Sequence, residues 1–307
     1  MKNKSLPLYM LSFAYAIFSF AVYMPEQKMN VYDWIRALAF NAVFNIVFVL
    51  VTDNRKLAYW AQCIIMVYLV FLFSVQINKM YRYIQLYHNR NNEVSVLIMT
   101  MIFILIFVVF SKIEISKFSM PLFIFSRAIL AILLILNMDK VSVYNLCSHP
   151  RLVKNNDISS VTMFDYINPM ILISKNQRDY NKKSLVEYQF LSNIGFIIIT
   201  LAIFACFRGD YMYSISPLQV GFQITTTNFV RNFDGLFTFL LIFAYFAALL
   251  MILWAFKEIS VKYKYRFLLL APLFVIISLN FDTKLFLVLQ LIAIIVLLAG
   301  RCKSETS

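Results

Sequence analysis

Residues 158–174, ISSVTMFDYINPMILIS, are apolar enough to enter a lipid bilayer, yet Asp165, Asn168 and Pro169 stand near the middle of the stretch. Proline lacks a backbone N–H and clashes with the preceding turn, so a helix here should break between Tyr166 and Pro169. Within a bilayer, such a break is tolerated only where it is buried in protein or lines a cavity. The stretch therefore predicts a discontinuous transmembrane helix at the centre of a transporter-like bundle. The alternative interpretation is an external loop that dips toward the interface.

The composition of the whole chain indicates the same class of protein. Hydrophobic residues make up 62% of the 307 residues and charged residues only 14%, which is more apolar material than one soluble core can hide. A helix needs roughly 20 apolar residues to cross a bilayer, and about ten such blocks occur. We therefore expect an all-α polytopic membrane protein. Its expected spans are 6–24, 34–51, 57–77, 94–110, 119–138, 158–174, 185–207, 235–256, 267–281 and 285–300.

The spans fall into two sets of five within one transmembrane domain, residues 1–307. The first set covers about 6–138, an outer connection 139–157, the second set about 158–300, and a short cytoplasmic tail 301–307. With the N-terminus inside, sixteen basic residues near span ends lie on the cytoplasmic side and ten outside, which favours two cytoplasmic termini. The net charge of +13 then reflects topology and contact with membrane lipids, and we expect no nucleic-acid partner.

Individual polar residues refine this layout. Met80, Tyr83, Ile84 and Tyr87 recur at helical spacing, which predicts a helical extension of the third span at the membrane interface. Glu187 follows the basic pair at 182–183, which indicates an ion pair at the cytoplasmic edge.

Sequence motifs for catalysis and cofactor binding are absent. The chain has no HExxH, GxSxG, Walker or dinucleotide-binding motif. Its two histidines are far apart, and its four cysteines form neither a zinc motif nor a disulfide framework. We therefore expect a protein that is not an enzyme, with no metal and no cofactor.

The run SPLQVGFQITTTNFVRNFDGLFTFLLIFAYFAALLMILWAFKEI, residues 216–259, resembles the endospore germination permease family, the B subunits of nutrient germinant receptors. Its matching features are Ser216–Pro217, the Arg231-x-x-Asp234 spacing and the long apolar helix that follows. Asp33–Trp34 resembles the Asp-x-Trp of that family, and Ser126–Arg127 resembles its fifth-span arginine. Together, their order and spacing carry the resemblance.

The resemblance implies an amino-acid-permease-like fold of two five-helix inverted repeats, with the first and sixth helices discontinuous around a midplane site. It implies a multi-pass protein of the spore inner membrane that senses a small-molecule germinant, often an amino acid. Its implied partners are the A subunit and the lipoprotein C subunit of the germinant receptor. The first helix departs from permeases of this fold because it lacks glycine, and the sixth carries the bulky FDYINP.

The implied ligand site lies between the first, third, sixth and eighth helices. Its candidate ligand-binding residues are Tyr15, Ser19, Tyr68, Asp165, Tyr166, Asn168 and Thr238. The expected structural ion pairs involve Arg127, Arg231 and Asp234, the last two at a three-residue spacing that suits one helix face. Two alternatives stay open: a solute or amino-acid transporter, and a membrane glycan polymerase using external residues such as Arg90, His149 and Arg151.

Overall fold

The computed structural model describes residues 57–88, 141–144, 249–257 and 283–300. It also describes single positions at 39, 43, 46, 47, 50, 135, 183, 186, 187, 190, 194, 197, 198, 201, 205 and 259. Regular structure at these positions is helical, apart from an isolated β-bridge at Leu57.

The longest described element is helix α1, Tyr59–His88, with 30 residues. Neither proline nor glycine occurs in it, so nothing interrupts its backbone hydrogen bonds. At its start the Gln62 N–H donates to the Ala58 carbonyl over 3.0 Å, and the Gln62 side-chain amide donates to the Leu57 carbonyl over 3.0 Å. The helix covers the expected third span and continues through residues 78–88, which confirms that the extension is helical.

Most of α1 is buried. Residues 65–78 are buried except for the partly exposed Val67, and they include the large side chains Phe71 and Phe73. A helix that is apolar on all sides and covered belongs to the core of a large protein or crosses a membrane. Among the described residues, one stretch has the length and apolar composition needed to cross a membrane, namely Tyr59–Asn78.

Helix α2, Thr283–Ala299, has 17 residues and differs from α1 in having one exposed apolar face. Ala293, Val296 and Leu297 are buried. The opposite face exposes large aliphatic side chains at helical spacing. These are Val288, Leu291, Ile292, Ile295 and Leu298.

The remaining described helical positions divide in the same way. Residues 249–253, 255, 256 and 259 are all buried, as expected of an interior helix. By contrast, Val43, Val47 and Leu50 expose an apolar stripe at spacings of four and three residues, and Phe190, Ile194 and Ile198 expose another at spacings of four. The chain thus combines fully covered helices with helices that present a bare apolar face.

Among the described residues, two backbone hydrogen bonds join distant parts of the chain. The Ala58 N–H donates to the Gly300 carbonyl over 2.7 Å, so the start of α1 meets the end of α2. The Ser142 N–H donates to the Ala205 carbonyl over 3.0 Å. Ser142 also accepts a hydrogen bond at Oγ from the Tyr144 N–H over 3.2 Å, which caps the helix that begins at Val143 inside the expected outer connection.

Gly300 permits the close approach of α1 and α2. A Cβ at this position would lie 2.6 Å from the Val296 carbonyl oxygen and 3.3 Å from Trp60 Cη2, and it would clash with the Ala61 Cβ. The two backbones can therefore meet only because Gly300 has no side chain and Ala61 has a small one.

Candidate functional site

Within residues 59–78 of α1, where the structure describes the side chains, four polar side chains are buried. Tyr68 is 2% exposed, Ser74 and Gln76 are 0% exposed, and Asn78 is 6% exposed. Covering a polar group without a hydrogen bond is costly, so polar side chains in a helix interior are there for a structural or functional reason. These four residues, which we call the α1 polar set, form the candidate site.

Ser74 has a structural explanation of its own. Its hydroxyl donates to the Val70 carbonyl over 2.9 Å, within the same helix. Serine commonly returns its hydroxyl to the carbonyl four residues earlier, and this arrangement needs no ligand. The functional interest of the set therefore rests on Tyr68, Gln76 and Asn78.

The oxygen atoms of those three side chains are fully buried: Tyr68 Oη, Gln76 Oε1 and Asn78 Oδ1. A phenol can donate and accept a hydrogen bond, and a carboxamide offers two donors and an acceptor oxygen. Such groups lie in surroundings where water does not compete, so each hydrogen bond they make is electrostatically strong.

The helix geometry distributes these groups around α1. With 3.6 residues per turn, Ser74 and Asn78 share one face, while Gln76 lies on the opposite side, nearer to the face of Tyr68. Residues 74–78 span about 6 Å along the axis, and Tyr68 lies about 9 Å from Ser74. The set therefore presents polar groups to more than one neighbouring element.

The chemistry that α1 can offer is neutral hydrogen bonding. Residues 57–78 contain no Asp, Glu, Lys or Arg. This part of α1 can recognise hydroxyl, amide or carbonyl groups, and it cannot supply an ion pair to a charged group. A charged group on a solute would need a partner from another helix.

Of the seven candidate ligand-binding residues, Tyr68 lies within the described part of the chain, and it is buried in α1. The other six and the three ion-pair residues lie outside the described residues. These are Tyr15, Ser19, Asp165, Tyr166, Asn168 and Thr238, and then Arg127, Arg231 and Asp234. Their roles stay predictions.

Gln76 and Asn78 were missed at the level of sequence. The expected span ends at residue 77, one residue before Asn78, and Gln76 is a single amide in an apolar run. The available signal was their type: two carboxamides two residues apart within a stretch that is otherwise apolar. The mean hydropathy of the span hides these two residues, although each polar side chain needs hydrogen-bond partners when it is buried.

The ion pair expected for Glu187 is present. Lys183 Nζ lies 3.9 Å from Glu187 Oε1, four residues apart on one helix face, and both side chains are largely exposed. Exposed pairs of this kind contribute little to stability. The described residues contain no group of three or more side chains of the types that bind metals.

Neither a protein-family model nor a curated protein sequence matches this chain.

Proposed function

We propose that this chain is a multi-pass membrane receptor subunit that binds a small solute, an amino acid or a similar nutrient, and signals to partner subunits in spore germination. The α1 polar set carries the proposal. It places Tyr68, Gln76 and Asn78 inside a helix that is long and apolar enough to cross a bilayer. Neutral polar side chains buried in such helices hydrogen-bond a neighbouring helix or contact a solute, and we propose the second role here.

The two long-range backbone hydrogen bonds support the ten-span layout behind this proposal. In that layout, Ala58 and Gly300 both lie at cytoplasmic ends of spans, and Ser142 and Ala205 both lie near outer ends. Each hydrogen bond thus joins two segments that the layout assigns to one side of the membrane. A layout with one span more or fewer between either pair would put bonded residues on opposite sides.

The exposed apolar faces of α2 and of two other helical stretches also support a membrane location. Water-soluble proteins rarely leave several large apolar faces uncovered. Here α2 and the helical positions around Val43–Leu50 and Phe190–Ile198 each present one, and lipid acyl chains would cover them at no cost.

Germination assays test the role of Tyr68 and Gln76. A spore-forming host lacking the gene is complemented with the wild type, Tyr68→Phe or Gln76→Leu, and the fall in optical density is followed over a series of L-amino-acid concentrations. Loss of one neutral hydrogen bond, about 0.5–1.5 kcal/mol, should raise the half-maximal concentration about 2- to 13-fold. Immunoblots of the membrane fraction check that the variants accumulate equally.

Gln62→Leu is the matched control. Gln62 is a glutamine on the same helix, but it lies at the first turn and donates to the Leu57 carbonyl, so its removal should leave the germination response unchanged. Wild-type responses from both Tyr68→Phe and Gln76→Leu would refute a role of these two side chains in solute binding.

Uptake of labelled amino acid into proteoliposomes without any germination phenotype would favour a transporter. Accumulation of lipid-linked glycan intermediates in the deletion strain would favour a polymerase.

A further inference from the structure

The helix that begins at Val143 presents an apolar surface at its start. Val141 is 50% exposed, Val143 is 74% exposed and Tyr144 is 68% exposed. The Ser142 hydroxyl, between them in the sequence, accepts a hydrogen bond from the Tyr144 N–H over 3.2 Å, so it serves as the cap of the helix. We call Val141, Val143 and Tyr144 the apolar turn.

A backbone hydrogen bond attaches the apolar turn to a distant helical position. The Ser142 N–H donates to the Ala205 carbonyl over 3.0 Å, and Ala205 is buried. The apolar turn therefore lies beside the helical stretch that exposes Phe190, Ile194 and Ile198.

Ala205 lies on the same helix face as those exposed side chains. All described positions from 183 to 205 are helical. At about 100° per residue, positions 194 and 198 lie within about 20° of position 205, and position 190 lies within about 60° of it. Ile198, which is 59% exposed, precedes Ala205 by about 10 Å along the axis. The exposed apolar face thus runs toward Ala205, where the apolar turn adjoins it.

We propose that the apolar turn is a membrane anchor at the boundary between the acyl chains and the headgroups of the outer leaflet. In the ten-span layout, Ser142 and Ala205 both lie near outer ends of spans, so the lipid that covers the face of Phe190–Ile198 also covers Val141 and Val143. The Tyr144 ring combines an apolar body with a polar hydroxyl, which suits this boundary. Amphipathic helical segments bind membranes at the same level.

The chemistry of the apolar turn favours lipid as its occupant over a partner protein. Residues 141–144, VSVY, carry no charge, and the Ser142 hydroxyl is engaged in the helix cap. Protein interfaces usually surround their apolar centre with a polar rim, whereas lipid needs only an apolar surface. The inference rests on the membrane location in the proposed function and is independent of the solute site.

Tryptophan fluorescence tests the proposal on the full-length protein. Tyr144→Trp adds an indole to the apolar turn, and the difference from the wild-type signal gives its contribution. The protein is reconstituted into phosphatidylcholine vesicles that contain a small fraction of brominated lipid. Bromine near the headgroup should quench the added indole more than bromine near the end of the acyl chain. Quenching only by acrylamide, supplied on both sides of the membrane, would show a solvated loop; quenching by neither agent would show a cover of protein. Either result would overturn the proposal.

A charge at the apolar turn supplies the second arm. Val143→Asp is made in the Tyr144→Trp background. A carboxylate in the first turn suits the positive end of a helix, so the helix should still begin there, but it disfavours contact with acyl chains. Quenching by brominated lipid should fall and quenching by acrylamide should rise. Val143→Leu is the matched control, because it keeps an apolar side chain, and it should retain the quenching by brominated lipid. Equal quenching of the two variants would contradict the anchor.

The two proposals fail separately. A protein that stays in the membrane pellet at alkaline pH, but whose added indole is quenched by acrylamide alone, would refute the anchor and leave the solute site intact. Quenching of the indole by brominated lipid, together with wild-type germination responses from Tyr68→Phe and Gln76→Leu, would do the reverse.

Discussion

Gly300→Ala should destabilise the protein by separating α1 from α2. The added Cβ would clash with the Ala61 Cβ and lie 2.6 Å from the Val296 carbonyl oxygen. Neither atom is the end of a flexible side chain, so one helix must move. The substitution also tests the contact between the start of α1 and the end of α2.

The expected magnitude combines two opposing terms. Overpacking a close contact costs about 1–3 kcal/mol. Replacing glycine by alanine restricts the unfolded chain and returns about 0.4–1 kcal/mol where the backbone is compatible. The net expectation is a loss of up to about 2.6 kcal/mol in the free energy of unfolding, and of about 1.3 kcal/mol at the middle of the two ranges.

The assay is equilibrium unfolding of the purified protein in detergent, followed by circular dichroism. The double variant Ala61→Gly/Gly300→Ala removes the facing Cβ, and the two substitutions should couple favourably by about 0.5–3 kcal/mol in a double-mutant cycle. Ala299→Leu is the control, since Ala299 is exposed beside Gly300, and it should change stability by less than about 0.5 kcal/mol. Unchanged or increased stability of Gly300→Ala would refute the close approach.

Two further predictions use the same unfolding assay. Ser142→Ala removes the oxygen that accepts the Tyr144 N–H and should cost about 0.5–2 kcal/mol, whereas Ser142→Asp keeps an acceptor and should preserve stability; equal losses in both would contradict the capping role. Phe256→Ala empties a position that is 1% exposed and should cost about 3–5 kcal/mol. Phe190→Ala, at a position that is 55% exposed, should stay within about 0.5 kcal/mol, and similar losses at the two phenylalanines would contradict the assignment of interior and peripheral helices.

The sequence predicted both the positions and the approximate lengths of α1 and α2. The expected span 285–300 corresponds to α2, Thr283–Ala299, because apolar residues fill almost all of it. The expected span 57–77 and its predicted helical extension together correspond to α1, which ends at His88. Hydropathy marks where side chains prefer lipid to water, whereas a helix continues as long as its backbone is uninterrupted. Residues 78–88 continue the uninterrupted helix backbone, although their side chains are less apolar than those of the span.

The candidate site was predictable only in part. Tyr68 was identified from its place in the third span, and the structure buries it. Burial of Gln76 could not be deduced, because a polar residue in an apolar helix can face a neighbour or the surroundings, and only packing decides which. The same limit applies to Gly300. No pattern in the sequence shows that Ala61 meets a glycine from the other end of the chain.

The length of α1 has a mechanical consequence. Its 30 residues extend about 45 Å, whereas the hydrocarbon layer is about 30 Å thick, so about a third of the helix would project beyond the layer. No proline or glycine interrupts this helix, so the positions of its two ends are linked through one continuous backbone. A tilt of about 5° about the contact at Ala61 would displace the end near His88, about 40 Å away, by about 4 Å.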